Sequence, residues 1–146
     1  LDKTDRKLLN ILHENSRISI VELSQKINLS RPSVKERINK LVEQGIIKNF
    51  TIQVSMEQVE QTITFFTELS QVTLSVEKTL ALLKSTPCIN EVHIVSGDVN
   101  YLVKATVANT TEMKNLLAKW MTFANVKSSI VLETAVENQF YLNTDH

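Results

Sequence analysis

Apolar residues recur along the first fifty positions with helical spacing. Leu8, Leu9, Ile11 and Leu12 cluster among polar Asp5, Arg6, Lys7 and Asn10, which predicts a helix over 5–13. Asp2 and Asp5 suit the positively polarised start of that helix. Residues 14–17 carry no apolar pattern and read as a loop. Ser19-Ile20-Val21-Glu22 has the form of a capping box, in which the serine and the glutamate three residues on satisfy free N–H groups at a helix start. Ile20, Leu23 and Ile27 then mark one apolar face of a short second helix. Asn28 tolerates the left-handed backbone that a sharp turn requires. Leu29 can plug the gap between helices, Ser30 is a good N-cap, and Pro32 fits a first turn where no N–H is needed. A third helix runs from Arg31 to about Gln44. Val34, Ile38, Leu41 and Val42 form its inward face, and Gly45 ends it.

Past Gly45 the period changes. Phe50, Ile52 and Val54 alternate, so 46–54 is expected as a strand, opening a wing or a ribbon that links two protomers. Residues 55–61 are polar and read as a hinge. Residues 62–74 read as a strand, and Val76, Leu80 and Leu83 as a helix that starts near Ser75 and stops before Pro87. Two strands follow, 91–95 and 101–107, separated by a turn at Ser96–Asn100 that contains Gly97. Met113, Leu116, Leu117, Trp120 and Ala124 mark a further helix. A last strand is expected over 127–136, with Ile130, Leu132 and Val136 aligned. The order βαββαβ is the ferredoxin-like split unit, two helices on one face of a four-stranded antiparallel sheet. The opposite face is expected to be apolar enough to pair, which points to a homodimer packed sheet against sheet. The expected class is therefore α+β: a helix-turn-helix, winged-helix-like domain over 1–50, a linker strand and hinge over 51–61, and the ferredoxin-like domain over 62–146.

Charge changes this picture. The 146 residues hold 16 Lys+Arg and 16 Asp+Glu, a net charge of zero. The two parts differ. Residues 1–50 carry ten Lys/Arg against six Asp/Glu, and residues 51–146 carry six against ten, so the parts stand at +4 and −4. Such asymmetry suggests two domains with different partners. Two glycines exclude a dinucleotide fingerprint and a P-loop. One cysteine, Cys88, excludes an intrachain disulfide and a multi-cysteine zinc site, and reads as a buried thiol. The longest apolar run is Leu80–Leu83, too short to span a membrane, and the N-terminal residues lack the character of a signal peptide. A cytoplasmic location is the expectation. His13, His93 and His146 are scattered with no ligand at metal spacing, and no nucleophile–base set assembles; neither a metal, a cofactor nor an enzyme is expected.

Two helices joined by a short turn, the second with a polar outer face, form a helix-turn-helix pattern. Such a second helix enters the major groove of double-stranded DNA, where its N-terminal side chains meet base edges while basic flanks and free N–H groups meet phosphates. Ser30, Arg31, Pro32, Ser33, Lys35, Glu36, Arg37, Asn39 and Lys40 are the candidate contacts. Ser33 and Glu36 are placed as base readers, and Lys35, Arg37 and Lys40 as phosphate contacts. The plain alternative is a helical hairpin with a solvated charged face.

These residues also carry a resemblance. Asp2…Asp5…Leu9…Leu12, Arg17-Ile18-Ser19, Leu23, Leu29-Ser30, Val34…Arg37-Ile38…Leu41 and Gly45-Ile46-Ile47 resemble the N-terminal signature of the Lrp/AsnC family, the leucine-responsive or feast/famine transcriptional regulators. Ser96-Gly97-Asp98 between the middle strands is similar to a loop of that family's second domain. The resemblance implies a transcriptional regulator in which 62–146 binds an effector and assembles the chain into dimers and octamers. The effector would be an amino acid or related metabolite. It implies Gly97, Asp98, Val99, Asn100 and Tyr101 as effector-binding residues. That family loop reads Gly-Asp-x-Asp followed by an aromatic, and here Asn100 replaces the second aspartate. An amide accepts and donates hydrogen bonds but lacks the charge that pairs with an ammonium group. Two alternatives accompany this reading: a ligand-free architectural DNA-binding protein, and a metabolite-binding ferredoxin-like module with a helical docking domain.

Overall fold

The computed structural model describes residues 1–145, and the chain divides into two compact units. The first holds residues 1–53 together with the stretch from Val136 onward; the second spans Val54–Ala135.

In the first unit, α1 (Lys3–Glu14) starts at a capping box made by Asp2 and Asp5. Each aspartate accepts the other's backbone N–H, so two otherwise free donors are satisfied. Helix α2 (Ile20–Ile27) starts at the expected box of Ser19 and Glu22. Asn28 then turns left-handed at φ 56°, and the Leu29 N–H closes back on the Ser24 carbonyl at 3.0 Å. This short reversal seats α3 (Arg31–Glu43) against α2 with Ser30 as its N-cap. Leu8, Leu9, Leu12, Leu23, Ile27, Val34 and Leu41 make the core. Val42, expected inward, is 44% exposed, since the buried line of α3 runs through Val34 and Leu41 and leaves Val42 at its rim. Gly45 ends the helix at φ +70°, where a Cβ would meet no atom but the backbone would strain.

The C-terminal stretch belongs to this unit, although the pattern placed everything to 146 in the second domain. Leu142 packs against the three-helix core. Its N–H donates to Asn10 Oδ1 at 2.8 Å, and its carbonyl accepts from Asn10 Nδ2 at 2.7 Å. One side-chain amide thus satisfies both backbone groups of a residue 132 positions away. The His13 ring lies 4.8 Å from that of Phe140, and its Nε2 is 3.1 Å from the Asn138 carbonyl.

Two expected strands change. Residues 46–54 form no ladder, and Phe50, Ile52 and Val54 stand 56, 79 and 54% exposed. A strand exists only through its partner, and the described residues supply none there. The polar stretch after it contains one helical turn, α4 (Met56–Val59).

The second unit has the expected order, β1 (Ile63–Ser70), α5 (Val76–Lys84), β2 (Ile89–Ile94), β3 (Val99–Val107), α6 (Thr110–Met121) and β4 (Asn125–Ile130). The antiparallel sheet runs β2-β3-β1-β4. Phe65, Leu69, Tyr101, Val103, Ala105 and Val107 point to one face, where Leu83, Leu116, Trp120 and Phe123 cover them. Thr67 is fully buried there, and its hydroxyl lies 2.8 Å from that of Ser128, so the polar atom is not orphaned. The last strand ends at Ile130, earlier than the pattern suggested; Leu132 and Val136 are 94 and 69% exposed. The opposite sheet face also differs from expectation. Phe66 and Leu102 lie there among Thr64, Glu68, Lys104, Thr106 and Lys127, with Lys104 5.9 Å above the Phe66 ring. That face is amphipathic rather than apolar.

Candidate functional site

Helix α3 meets solvent along one side. Arg31, Pro32, Lys35, Glu36, Asn39 and Lys40 are exposed, and Ser33 is half-buried. Ser30 Oγ accepts the Ser33 N–H at 3.4 Å and lies 2.9 Å from the Ser33 hydroxyl, which draws both serines to the start of the helix. Pro32 has no N–H, and the Ser33 and Val34 N–H groups bond to Ser30, so of the first turn only the Arg31 N–H is left at an end that carries partial positive charge. Lys40 and Glu36 pair at 2.9 Å one turn apart. That bond holds the Glu36 carboxyl below and the Lys40 ammonium above their ordinary ranges. Arg31 and Lys35 take part in no ion pair among the described residues, so their charge is available to a partner.

Arg37 stands apart from this group. Its Nη1 donates to Asp2 Oδ2 and Asp5 Oδ1, both at 2.7 Å, and its side chain is 32% exposed. The Asp2 bond, then the Asp5 bond, raises the guanidinium above its ordinary pKa. The Asp5 backbone N–H, then Arg37, holds the Asp2 carboxyl below its usual range. The expected phosphate contact is thus already engaged. The pattern had placed the two aspartates only at a helix start. Nothing in local spacing reveals that Arg37, 35 and 32 positions away, returns to them.

The turn between β2 and β3 holds the other candidates. Gly97 adopts φ +98°, a conformation other residues rarely take, and Gly97, Asp98 and Asn100 are exposed. Asn100 Oδ1 accepts the Val72 N–H at 3.2 Å, tying the turn to the segment after β1. Val99 is half-buried. Tyr101 is 3% exposed and belongs to the core beneath the helices, so the structure separates its ring from the exposed turn. Sequence spacing missed Val72 because it lies 28 positions from Asn100. Among the described residues no group of three or more His, Cys, Asp or Glu side chains is placed to hold a metal, and no helix is long and apolar enough to cross a membrane.

A capped helix with an exposed polar face, preceded by a tight turn and an antecedent helix, together with a separate βαββαβ sheet, defines a helix-turn-helix regulator with a second, ligand-type domain. Comparison with known proteins agrees. Residues 1–48 match the family described as winged helix-turn-helix DNA-binding, and residues 64–140 match the Lrp/AsnC ligand binding domain. The leucine-responsive regulatory protein of Haemophilus influenzae is 34% identical over 120 residues, covering 80% of this chain and 72% of that protein. Its counterpart in Salmonella typhimurium is 34% identical over 125 residues, covering 82% and 74%. Among solved structures, a transcriptional regulator from Neisseria meningitidis in complex with L-Met superposes with TM-score 0.87 at 26% identity, covering 100% of this chain and 98% of that one. LrpC of Bacillus subtilis shares the fold with TM-score 0.87 at 24% identity, covering 95% and 99%. The chain belongs to the Lrp/AsnC family of DNA-binding transcriptional regulators.

Proposed function

We propose that α3 reads double-stranded DNA through its exposed side, and that an amino acid bound at the Gly97–Asn100 turn biases how copies of the chain assemble. The observation that carries the first part is the placement of Arg31 and Lys35. Both are exposed, neither is in an ion pair among the described residues, and both lie beside the Ser30-capped start of α3. In this reading they and Lys40 meet phosphates, Ser33, Glu36 and Asn39 meet base edges, and Ser30 and Pro32 hold the first turn against the backbone. Arg37 is assigned to the clamp with Asp2 and Asp5.

For the effector, support comes from the exposed Gly97–Asp98 turn and from the Neisseria meningitidis relative solved with L-Met. Asp98 offers a carboxylate to the ammonium group and Asn100 an amide beside it; Val99 lines the turn, and Tyr101 supports it from below. The chain acts as a homodimer that assembles further, toward an octamer, and works in the cytoplasm as a regulator rather than an enzyme. A ligand stabilises only the assembly that binds it better, so an effector shifts oligomer populations by that difference. Exposed Phe50, Ile52 and Val54 support association, since an unpaired apolar stretch of extended chain gains ladder bonds from a second copy.

The test is a mass measurement in solution with each standard amino acid in turn, alongside thermal unfolding. One amino acid is expected to raise the melting temperature by mass action and to change the mass distribution. Asn100→Asp, which restores a carboxylate, is expected to tighten that binding about fivefold. If no amino acid moves either quantity, the effector reading is wrong and the ligand-free architectural alternative replaces it.

A further inference from the structure

Asp2, Asp5 and Arg37 form a connection that neither the capping of α1 nor the contact face of α3 explains. The two aspartates already satisfy each other's backbone N–H groups without Arg37. Yet both present a carboxylate oxygen to the same guanidinium nitrogen, and Asp5 does so from a side chain only 18% exposed. Charge-assisted bonds of this kind fix direction as well as distance. Arg37 follows Glu36 immediately, so what holds Arg37 also holds the turn of α3 that carries the proposed base reader.

We propose that Asp2 and Asp5 are positioning residues for DNA recognition: acting through Arg37, they set how α3 is presented to the groove, and they withhold Arg37 from phosphate. The proposal rests on the reading of α3 as the DNA-contacting helix. Charge alone predicts the opposite sign. Two carboxylates near a DNA-contacting helix repel phosphates, so removing them strengthens binding to every duplex. Loss of positioning instead costs preference among sequences, because base-edge contacts tolerate little misplacement while phosphate contacts carry no sequence information.

The full-length chain is titrated with a duplex it has itself selected from a random-sequence pool, and with a scrambled duplex of equal length, at several salt concentrations. The variant D2N/D5N removes the charges but keeps the cap, since asparagine caps as well as aspartate. It is expected to lose about tenfold in preference for the selected duplex, while binding the scrambled one as tightly as the parent or more so. R37Q is expected to lose similar preference with an unchanged salt slope. Adding D2N/D5N to R37Q then produces no further loss, as befits groups that act as one unit. Circular dichroism verifies folding. Should R37Q fail to fold, R37M, which keeps an apolar stem but has no charge to bond the two aspartates, carries the same expectation. The proposal is overturned if D2N/D5N keeps or gains preference, or if R37Q (or R37M in its place) flattens the log–log salt slope by about 0.9, the signature of one lost phosphate contact. A parent chain that selects no duplex overturns the DNA reading itself, and the proposal with it.

Discussion

Asp2 serves two partners with one carboxyl: Oδ1 accepts the Asp5 N–H at 2.7 Å and Oδ2 accepts from Arg37 at 2.7 Å. Both bonds are stronger to the ionised form, and both hold its pKa below the ordinary 3.8. The unfolded chain therefore takes up the proton first as the solution is acidified. The stability from these bonds is fully present above pH 3.8 and is lost as the pH falls through the lower, folded value. Arg37 stays charged throughout this range, so only the carboxyl side titrates. Thermal unfolding of the parent and of Asp2→Asn between neutral pH and pH 2 measures this. The parent's melting temperature is expected to fall more steeply below pH 3.8 than the variant's. The difference should be modest, because Asp2 is half exposed and water screens the pair. Equal slopes would show that the pair adds nothing to the fold. The same residue scale separates Asn100 from Tyr101. Neighbours in sequence, they point to opposite faces of β3, so one reaches the exposed turn and the other the core.

At the scale of elements, the helices were legible and the chain's pairings were not. A helix is written locally: Ser19 with Glu22, Asn28, Ser30 and the apolar spacing of Leu23, Ile27, Val34 and Leu41 all act within a few residues. The order of strands and helices in the second unit was legible for the same reason, since alternation and turns are local too. Partners are not local. The alternation of Phe50, Ile52 and Val54 is real, but a strand needs a second strand, and the pattern does not say whose. The stretch after Ile130 has the apolar residues of a strand, yet Leu142 leaves the sheet's unit and joins the three-helix core. Asn10 looked like a polar spacer on α1; its amide is what receives that stretch. Asn10→Ala removes both bonds and leaves two backbone groups to find water, a cost of about 1–3 kcal/mol. Hydrogen exchange reads this directly. The Leu142 amide is expected to be protected in the parent and to exchange at least tenfold faster in the variant. Equal protection would show that Leu142 alone, through its apolar contact, holds the stretch in place.

For the whole molecule, the neutral total conceals a division of labour. The unit of residues 1–53 and 136–146 holds ten Lys/Arg against eight Asp/Glu and contains the exposed face of α3; the unit of residues 54–135 holds six against eight and forms the four-stranded sheet. A protein with no net charge gains little from indiscriminate attraction to polyanions. In the proposed reading its affinity for DNA comes from where its cations stand, on Arg31, Lys35 and their neighbours. Isolated from the acidic half, the basic half would be expected to bind duplexes with less discrimination. The central claim is that α3 reads DNA through a local, charged face on an otherwise neutral chain, and the most direct test is the salt dependence of binding. Affinity of the full-length chain for its selected duplex should fall linearly on logarithmic axes as salt rises, and Lys35→Ala should reduce the slope by about 0.9. A slope near zero for the parent, or one that Lys35→Ala and Arg31→Ala both leave unchanged, would contradict the placement of the DNA interface on this helix.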